Sequence, residues 1–193
     1  MRVLVLFAHP VETSYQAALH RTVVENLKAA GHTVDDCDLY AEGFNPVLSR
    51  EERLNYHDEA ICREPVKAYV DRLLAAEALV LNFPVWNFGY PAILKGFLDR
   101  VFLPGVSFKL EDGKAKPILH NIRKLGAVVT YGGARWRAFL VGDPPRKSVT
   151  RAVRAVVHPM AKMRYVALYD MNNNGEEELN RFRERVAGEM RSF

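Results

Sequence analysis

Phe83-Pro84-Val85-Trp86-Asn87-Phe88-Gly89-Tyr90-Pro91-Ala92-Ile93-Leu94-Lys95-Gly96 joins a buried-strand signature to a helix start through an aromatic loop. Ala78 to Phe83 leads in as a strand with Leu79-Val80-Leu81 at its centre. Pro91 suits the first helical turn, where its missing N–H costs nothing and its fixed φ already fits. Ile93, Leu94, Phe97, Leu98, Val101 and Phe102 then recur at helical spacing and give one apolar face. Trp86, Asn87 and Phe88 occupy the tip between strand and helix, where solubility alone selects Asn, Asp or Ser. A lone aromatic in such a place more often folds back onto the core. Two of them beside Asn and Gly point instead to a platform for a flat heteroaromatic ligand.

The opening segment repeats the pattern. Arg2 to Ala8 is a continuous apolar strand of the kind buried on both faces of a parallel sheet. It breaks at His9-Pro10, and Ser14 is placed to cap a helix whose Leu19, Val23, Val24 and Leu27 recur at helical spacing up to Gly31. A loop holding His9, Thr13 and Ser14 ahead of a helix start is an anion site, since free N–H groups and the helix dipole both face it. Gln16 is expected to add a further side-chain donor. Capping by Ser14 stands whether or not an anion binds.

Strands and helices alternate along the rest of the chain. His32 to Leu39 is a second strand, Val66 to Ala76 a helix, Lys124 to Tyr131 a fourth strand and Met163 to Tyr169 a fifth. Ser148 to Val157 is helical after a Pro144-Pro145 start, and Glu176 to Met190 closes the chain as an amphipathic helix. This predicts an α/β fold with a doubly wound five-stranded parallel sheet of order 2-1-3-4-5, in one domain over residues 1–193. The long connections Ala41 to Pro65 and Pro104 to Asn121 are expected to be functional or to carry small elements of their own. Thr130-Tyr131-Gly132-Gly133 ends the fourth strand, with two glycines that let a backbone approach a ligand closely. In that strand order the ends of strands 1, 3 and 4 converge at the topological switch point, where such sheets bind ligands.

The composition, 49% hydrophobic and 26% charged, is that of a globular protein and argues against disorder. No apolar run reaches the roughly 20 residues of a membrane helix, and Met1 to Ala8 is too short for a signal-peptide core, so a cytoplasmic protein without membrane insertion is expected. Cys37 and Cys62 are too few for a disulfide framework or a zinc site, and the histidines lie at no metal spacing. No metal is expected.

These motifs carry a resemblance. His9, Ser14-Tyr15-Gln16, Asp38-Leu39-Tyr40, Phe44-Asn45-Pro46, Phe83-Pro84, Phe88-Gly89, Pro91 to Gly96 and Thr130 to Gly133 together resemble the flavodoxin-like NAD(P)H:quinone oxidoreductases. That group includes mammalian quinone reductase, bacterial modulators of drug activity and the ancillary subunits of potassium efflux systems. The resemblance implies a homodimer with one flavin per site that takes a hydride from NAD(P)H and reduces quinones, with azo or nitro compounds as secondary acceptors. It implies that His9, Tyr15 and Gln16 bind the flavin phosphate region, with Thr13 and Ser14 beside them. Pro84, Val85, Trp86, Asn87 and Phe88 lie against the ring, and Thr130, Tyr131, Gly132 and Gly133 offer backbone donors near its pyrimidine end. The Ala41 to Pro65 insertion resembles the branch that uses FAD and favours FAD over FMN.

The chain also departs from that group. Trp86-Asn87 stands where mammalian quinone reductase has Gln-Trp, and the Tyr and His thought to assist that enzyme have no counterparts beyond Gly133. No acid–base residue is assigned. Arg135, Trp136 and Arg137 occupy that neighbourhood and become candidates for the substrate wall, with Asp143 a turn or cap residue. Between Arg135 and Arg164 stand eight cations, which a solvated face or attraction of the anionic dinucleotide explains. The segment has no nucleic-acid-binding motif, and nucleic acid is not expected as a partner. Without Gly-x-Gly-x-x-Gly, NAD(P)H is read as a transient substrate. The alternative reading is a regulatory or ancillary flavoprotein of a transporter with little turnover. An electron-carrier flavodoxin ranks below both, since such carriers are acidic and this chain carries +4.

Overall fold

A computed structural model describes residues 1–193. Five parallel strands form the main sheet: β1 (Arg2–Phe7), β2 (Thr33–Asp38), β3 (Ala78–Val85), β6 (Lys124–Tyr131) and β7 (Lys162–Leu168). Their spatial order is β2-β1-β3-β6-β7. Counted among the main-sheet strands alone, this is the expected 2-1-3-4-5. The two remaining strands, β4 (Phe108–Glu111) and β5 (Lys114–Pro117), pair as a separate antiparallel hairpin inside the Pro104 to Asn121 connection. Its turn residues Asp112 and Gly113 both take positive φ, 51° and 73°. The other long connection holds a short helix, α2 (Arg50–Leu54).

Alternation along each strand sorts side chains to two layers. Val3 and Val5 of β1, Val80 of β3 and Val128 of β6 face α1 (Tyr15–Ala29) and α8 (Glu176–Arg191), where Leu19, Val23, Phe182 and Val186 close over them. Leu4, Leu6, Leu79, Leu81 and Val129 face the opposite layer of α3 (Lys67–Ala75) and α4 (Ala92–Val101). That side is the larger core because both insertions pack there. Arg100 of α4, 8% exposed, donates to Glu52 of α2 at 2.6 and 2.8 Å and to the Asn45 carbonyl. Gly96 of α4 lies so close to Pro46 that a Cβ there would fall 2.3 Å from the Pro46 carbonyl oxygen. The glycine ending the Pro91 to Gly96 run is therefore the partner of the Asn45-Pro46 motif.

Local signals explain the helix ends. Ser14 Oγ accepts from Ala17 N–H at 3.1 Å and caps α1, whose end is turned by Gly31 at φ 81°. Glu176, Glu177 and Glu178 fill the first turn of α8, where carboxylates complement the helix dipole. The expected Ser148 to Val157 helix is part of a longer one that begins as α6 (Pro144–Lys147), widens into a π-helix over Ser148–Val153 and ends as α7 (Arg154–Val156). Sequence periodicity missed α5 (Arg135–Leu140), which buries Ala138 alone. Phe97, Val101, Leu103 and Val106 are 0 to 2% exposed and belong to the core.

Candidate functional site

The β1 and β2 pair lies on one side of the switch point and β3, β6 and β7 on the other. Parallel pairing aligns the strand ends, so the loops after β1, β3 and β6 open on one edge of the sheet. The loop after β3 is a two-residue reversal. Trp86 and Gly89 exchange backbone hydrogen bonds of 3.2 and 2.9 Å, while Asn87 and Phe88 between them take φ 49° and 57°. Positive φ at both central residues is a type I′ turn, whose twist matches the flanking strand directions. Asn tolerates this conformation; a bulky Phe does so at a cost, of the kind that clusters at functional sites. The turn holds Trp86 40% and Phe88 41% exposed. Pro84 fits inside the strand because β1 pairing ends at Asn82, so no ladder partner is left waiting for its missing N–H.

His9 ties the first loop to this turn. Its ring meets Trp86 edge-on, with centroids 5.8 Å apart. Val11 N–H donates to His9 Nδ1 at 3.0 Å, which leaves Nε2 as the ring nitrogen available to a ligand. The N–H groups of Tyr15 and Gln16 have no acceptor in the chain, so the start of α1 offers two backbone donors beside the Thr13 and Ser14 hydroxyls. The Tyr15 phenol itself points elsewhere. It donates to the Leu179 carbonyl at 2.7 Å, and burial pushes its pKa up to about 12.

Gln16 is a correction. Its side chain is 2% exposed and turns under the sheet instead of into the loop. Its amide nitrogen donates to Asn82 and to the Val128 carbonyl, and its oxygen accepts from Thr130 Oγ1 at 2.7 Å. The Thr130 side chain is spent in the same network. Only the Gln16 backbone remains for the anion loop.

After β6, the N–H groups of Gly132 and Gly133 have no acceptor. A Cβ on Gly133 would find nothing nearer than Arg137 Cδ at 4.0 Å, so folding alone does not require glycine there. Val85, Asn87, Phe88, Tyr131, Gly132 and Gly133 line a common hollow of about 190 Å³ that joins the second and third motifs. Tyr131 enters it from beneath. Its hydroxyl meets Asp143 at 2.7 Å and Tyr165 at 2.6 Å, while its ring stacks on Tyr169 at 4.4 Å. Burial, with Tyr165 and Asp143 beside it, holds the Tyr131 phenol far above its ordinary pKa, so it stays protonated. Sequence reading gave Asp143 a turn or cap role. It does precede α6 at φ 47°, but its carboxylate serves these tyrosines and caps nothing. A second, larger hollow of about 450 Å³ lies on the β2 side of His9, walled by Phe7, His20, Asp38, Tyr40 and Ala41.

The substrate candidates separate. Trp136 is 60% exposed, and the Arg137 guanidinium lies over its ring at 5.3 Å. Arg135 points the other way, over Tyr169 at 6.0 Å. No group of three or more His, Cys, Asp or Glu side chains is placed to hold a metal ion.

The profile of the flavodoxin-like fold matches residues 1–190. The chain belongs to that family. This flavodoxin-like chain is 36% identical over 133 residues to an uncharacterised NAD(P)H oxidoreductase of Haemophilus influenzae, covering 68% of itself and 65% of that relative. It is 32% identical over 147 residues to NAD(P)H dehydrogenase [quinone] 1 of Rattus norvegicus, covering 68% and 54%. Those matches therefore span between half and two thirds of the relatives' length. Among solved structures, the NAD(P)H:quinone oxidoreductase of Methanothermobacter marburgensis superposes with a TM-score of 0.84 at 25% identity, covering 99% of this chain and 98% of that one.

The site of this flavodoxin-like chain fits a flavin on its own geometry. Donors without acceptors stand at the start of α1, space without a Cβ opens at Gly133, and exposed flat side chains lie between. No helix is long and apolar enough to cross a membrane.

Proposed function

We propose that residues 1–193 form one flavin-binding domain of an NAD(P)H oxidoreductase that passes two electrons, as hydride, to quinones. One observation carries this reading. Three loops distant in sequence end together at the switch point, with N–H donors lacking acceptors in the outer two and a strained aromatic turn in the middle one. The named relatives from rat and Methanothermobacter marburgensis support the same assignment. A bound flavin supplies the reversible hydride acceptor. The chain's own residues supply place and field. Tyr15 and Gln16 N–H, His9 Nε2 and the Thr13 and Ser14 hydroxyls hold the phosphate. Val85, Trp86, Asn87 and Phe88 stack against the ring. The Gly132 and Gly133 N–H groups, which lack acceptors, would hold the ring's pyrimidine end and supply dipoles that stabilise negative charge there. No nucleophile is needed, and Tyr131 keeps its proton.

The flavin is proposed as FAD. The hollow of about 450 Å³ beside His9 begins at Tyr40 and Ala41, the root of the long insertion, and supports this choice by offering room for an adenosine half. The active form is proposed as a homodimer in the cytoplasm, where two free, buried cysteines stay reduced. Donor and acceptor take turns in the space before Phe88 and Gly133, which makes the cycle ping-pong.

Chromatography of the flavin released from purified protein tests the cofactor. Initial rates over a grid of NADPH and a soluble quinone test the rest. Parallel double-reciprocal lines are expected. Absence of turnover with bound flavin refutes the enzyme, and intersecting lines refute the shared space.

A further inference from the structure

Behind α5, on the side away from Gly133, lies a separate hollow of about 250 Å³ lined by Arg135, Phe139, Asp143, Arg146, Lys147 and Tyr169. The two hollows share the helix. Ala134 and Ala138 wall the one that Phe88 and Gly133 line, and the next residues, Arg135 and Phe139, wall this one. A helix is about 10 Å across, so an elongated ligand lying over α5 reaches both.

Cations dominate this hollow. Elsewhere Arg2, Arg63, Arg72, Arg100, Arg164 and Arg181 sit in ion pairs, while the remaining arginines, Arg135 and Arg146 among them, do not. The side chains of Arg135, Arg146 and Lys147 make no ion pair and donate no hydrogen bond. The one acid in the hollow, Asp143, already accepts from the Tyr131 and Tyr169 hydroxyls, so three cations face one occupied carboxylate. The guanidiniums are nonetheless positioned, Arg135 over Tyr169 at 6.0 Å and Arg146 over Tyr165 at 5.1 Å. Stacking on a ring face orients a guanidinium without consuming its N–H donors, which stay available for a planar fork onto an oxyanion. Gly142, at φ 82°, turns the chain back between α5 and α6, and its missing Cβ leaves room for the Lys147 ammonium, which would lie 3.2 Å from such an atom. Phe139, 78% exposed, adds a flat apolar wall.

Two forks and one ammonium, free and concentrated beside a flat ring, suit a phosphomonoester carried next to a planar base. NADPH and NADH differ by one such group, on the adenosine ribose. We infer that this hollow takes the 2′-phosphate of NADPH, so that the protein selects NADPH over NADH through Arg135, Arg146 and Lys147. The inference rests on the oxidoreductase reading for its coenzyme but not for its anion chemistry, and the two are separable by experiment.

Calorimetric titration of the flavin-loaded protein with 2′,5′-ADP, 5′-ADP and inorganic phosphate reads the hollow without turnover. Binding of 2′,5′-ADP at least about tenfold tighter than 5′-ADP is expected, from charge-assisted hydrogen bonds to the extra phosphate. R146S/K147S should erase that preference, and R151S/K162S, which removes the same charge outside the hollow, should retain it. In steady state the ratio of kcat/KM for NADPH to that for NADH should fall at least about tenfold in R146S/K147S. Equal affinity for the two diphosphates, inorganic phosphate binding as tightly as 2′,5′-ADP, or equal losses in the two double variants overturns the inference. A 2′,5′-ADP preference in a protein that turns over no quinone would uphold the hollow and refute the oxidoreductase reading alone.

Discussion

Phe88 allows backbone strain and ligand stacking to be measured apart. At φ 57° it adopts the left-handed conformation that costs an L-residue roughly 1–2 kcal/mol. Phe88→Ala and Phe88→Gly both delete the ring, but only glycine removes the conformational cost. Against this, glycine loses about 0.4–1 kcal/mol more than alanine through the entropy of its unfolded chain. The balance favours Phe88→Gly by about 0.5–1 kcal/mol, the reverse of the order at an ordinary position. For a chain of 193 residues that corresponds to a thermal midpoint roughly 1–4 °C above that of Phe88→Ala. Both variants should lose flavin affinity alike. An aromatic stack is worth about 0.5–1.5 kcal/mol beyond its burial, a loss of roughly two- to tenfold. Thermal unfolding of the flavin-free proteins and flavin fluorescence titration supply the two readings. An alanine variant as stable as the glycine variant would refute the left-handed turn, and wild-type flavin affinity in either would refute stacking on Phe88.

Gly133→Val should shift the thermal midpoint little, since a Cβ there meets nothing nearer than Arg137 Cδ at 4.0 Å, yet weaken flavin binding at least about tenfold. Equal losses in stability and affinity would mean that the glycine serves the fold. Gly96→Ala should cost about 1–3 kcal/mol or more in urea denaturation, because its Cβ would fall 2.3 to 2.5 Å from Pro46 and force α4 from the Asn45-Pro46 segment. An unchanged midpoint contradicts that packing. Burial alone would raise Glu52, but the Ser49 N–H and Arg100 outweigh it and hold the carboxyl below its usual 4.5. A lowered folded pKa means that its stabilisation is full above the unfolded value and is lost as pH falls through the folded one. The thermal midpoint should therefore drop on acidification below about pH 4.5, less steeply in Glu52→Gln than in the wild type. Identical slopes would remove Glu52 from the account.

The fold was legible because parallel strands buried on both faces read as near-continuous apolar runs, and Arg2 to Ala8, Ala78 to Phe83 and Lys124 to Tyr131 are such runs. The Ser14 cap and Gly31 stop were legible for similarly local reasons. What escaped depends on partners far along the chain. Asp143 meets Tyr131 and Tyr169, and Tyr131 in turn meets Tyr165, and no window of sequence contains them all. α5 buries one residue of six, so it leaves no periodic trace. Gln16 was assigned to the loop by its place at a helix start, but the rotation of that first turn carries its side chain inward. The Asp112-Gly113 pair was a hairpin signal available in the sequence and left unused.

Gln16, Asn82 and Thr130 have a further consequence. Each stands near the root of a different loop: Gln16 where the first enters α1, Asn82 three residues before Val85, and Thr130 two before Gly132. Their amides and hydroxyl form one buried knot that lashes the three roots together beneath the crevice. The spacing between the loops is thus set by side chains buried beneath the crevice. Tip residues such as Trp86, Asn87 and Trp136 lie outside this knot, so a substitution at the tip leaves the frame beneath in place. A fold cross-tied in this way can change the molecules it recognises without first having to relearn how to hold them.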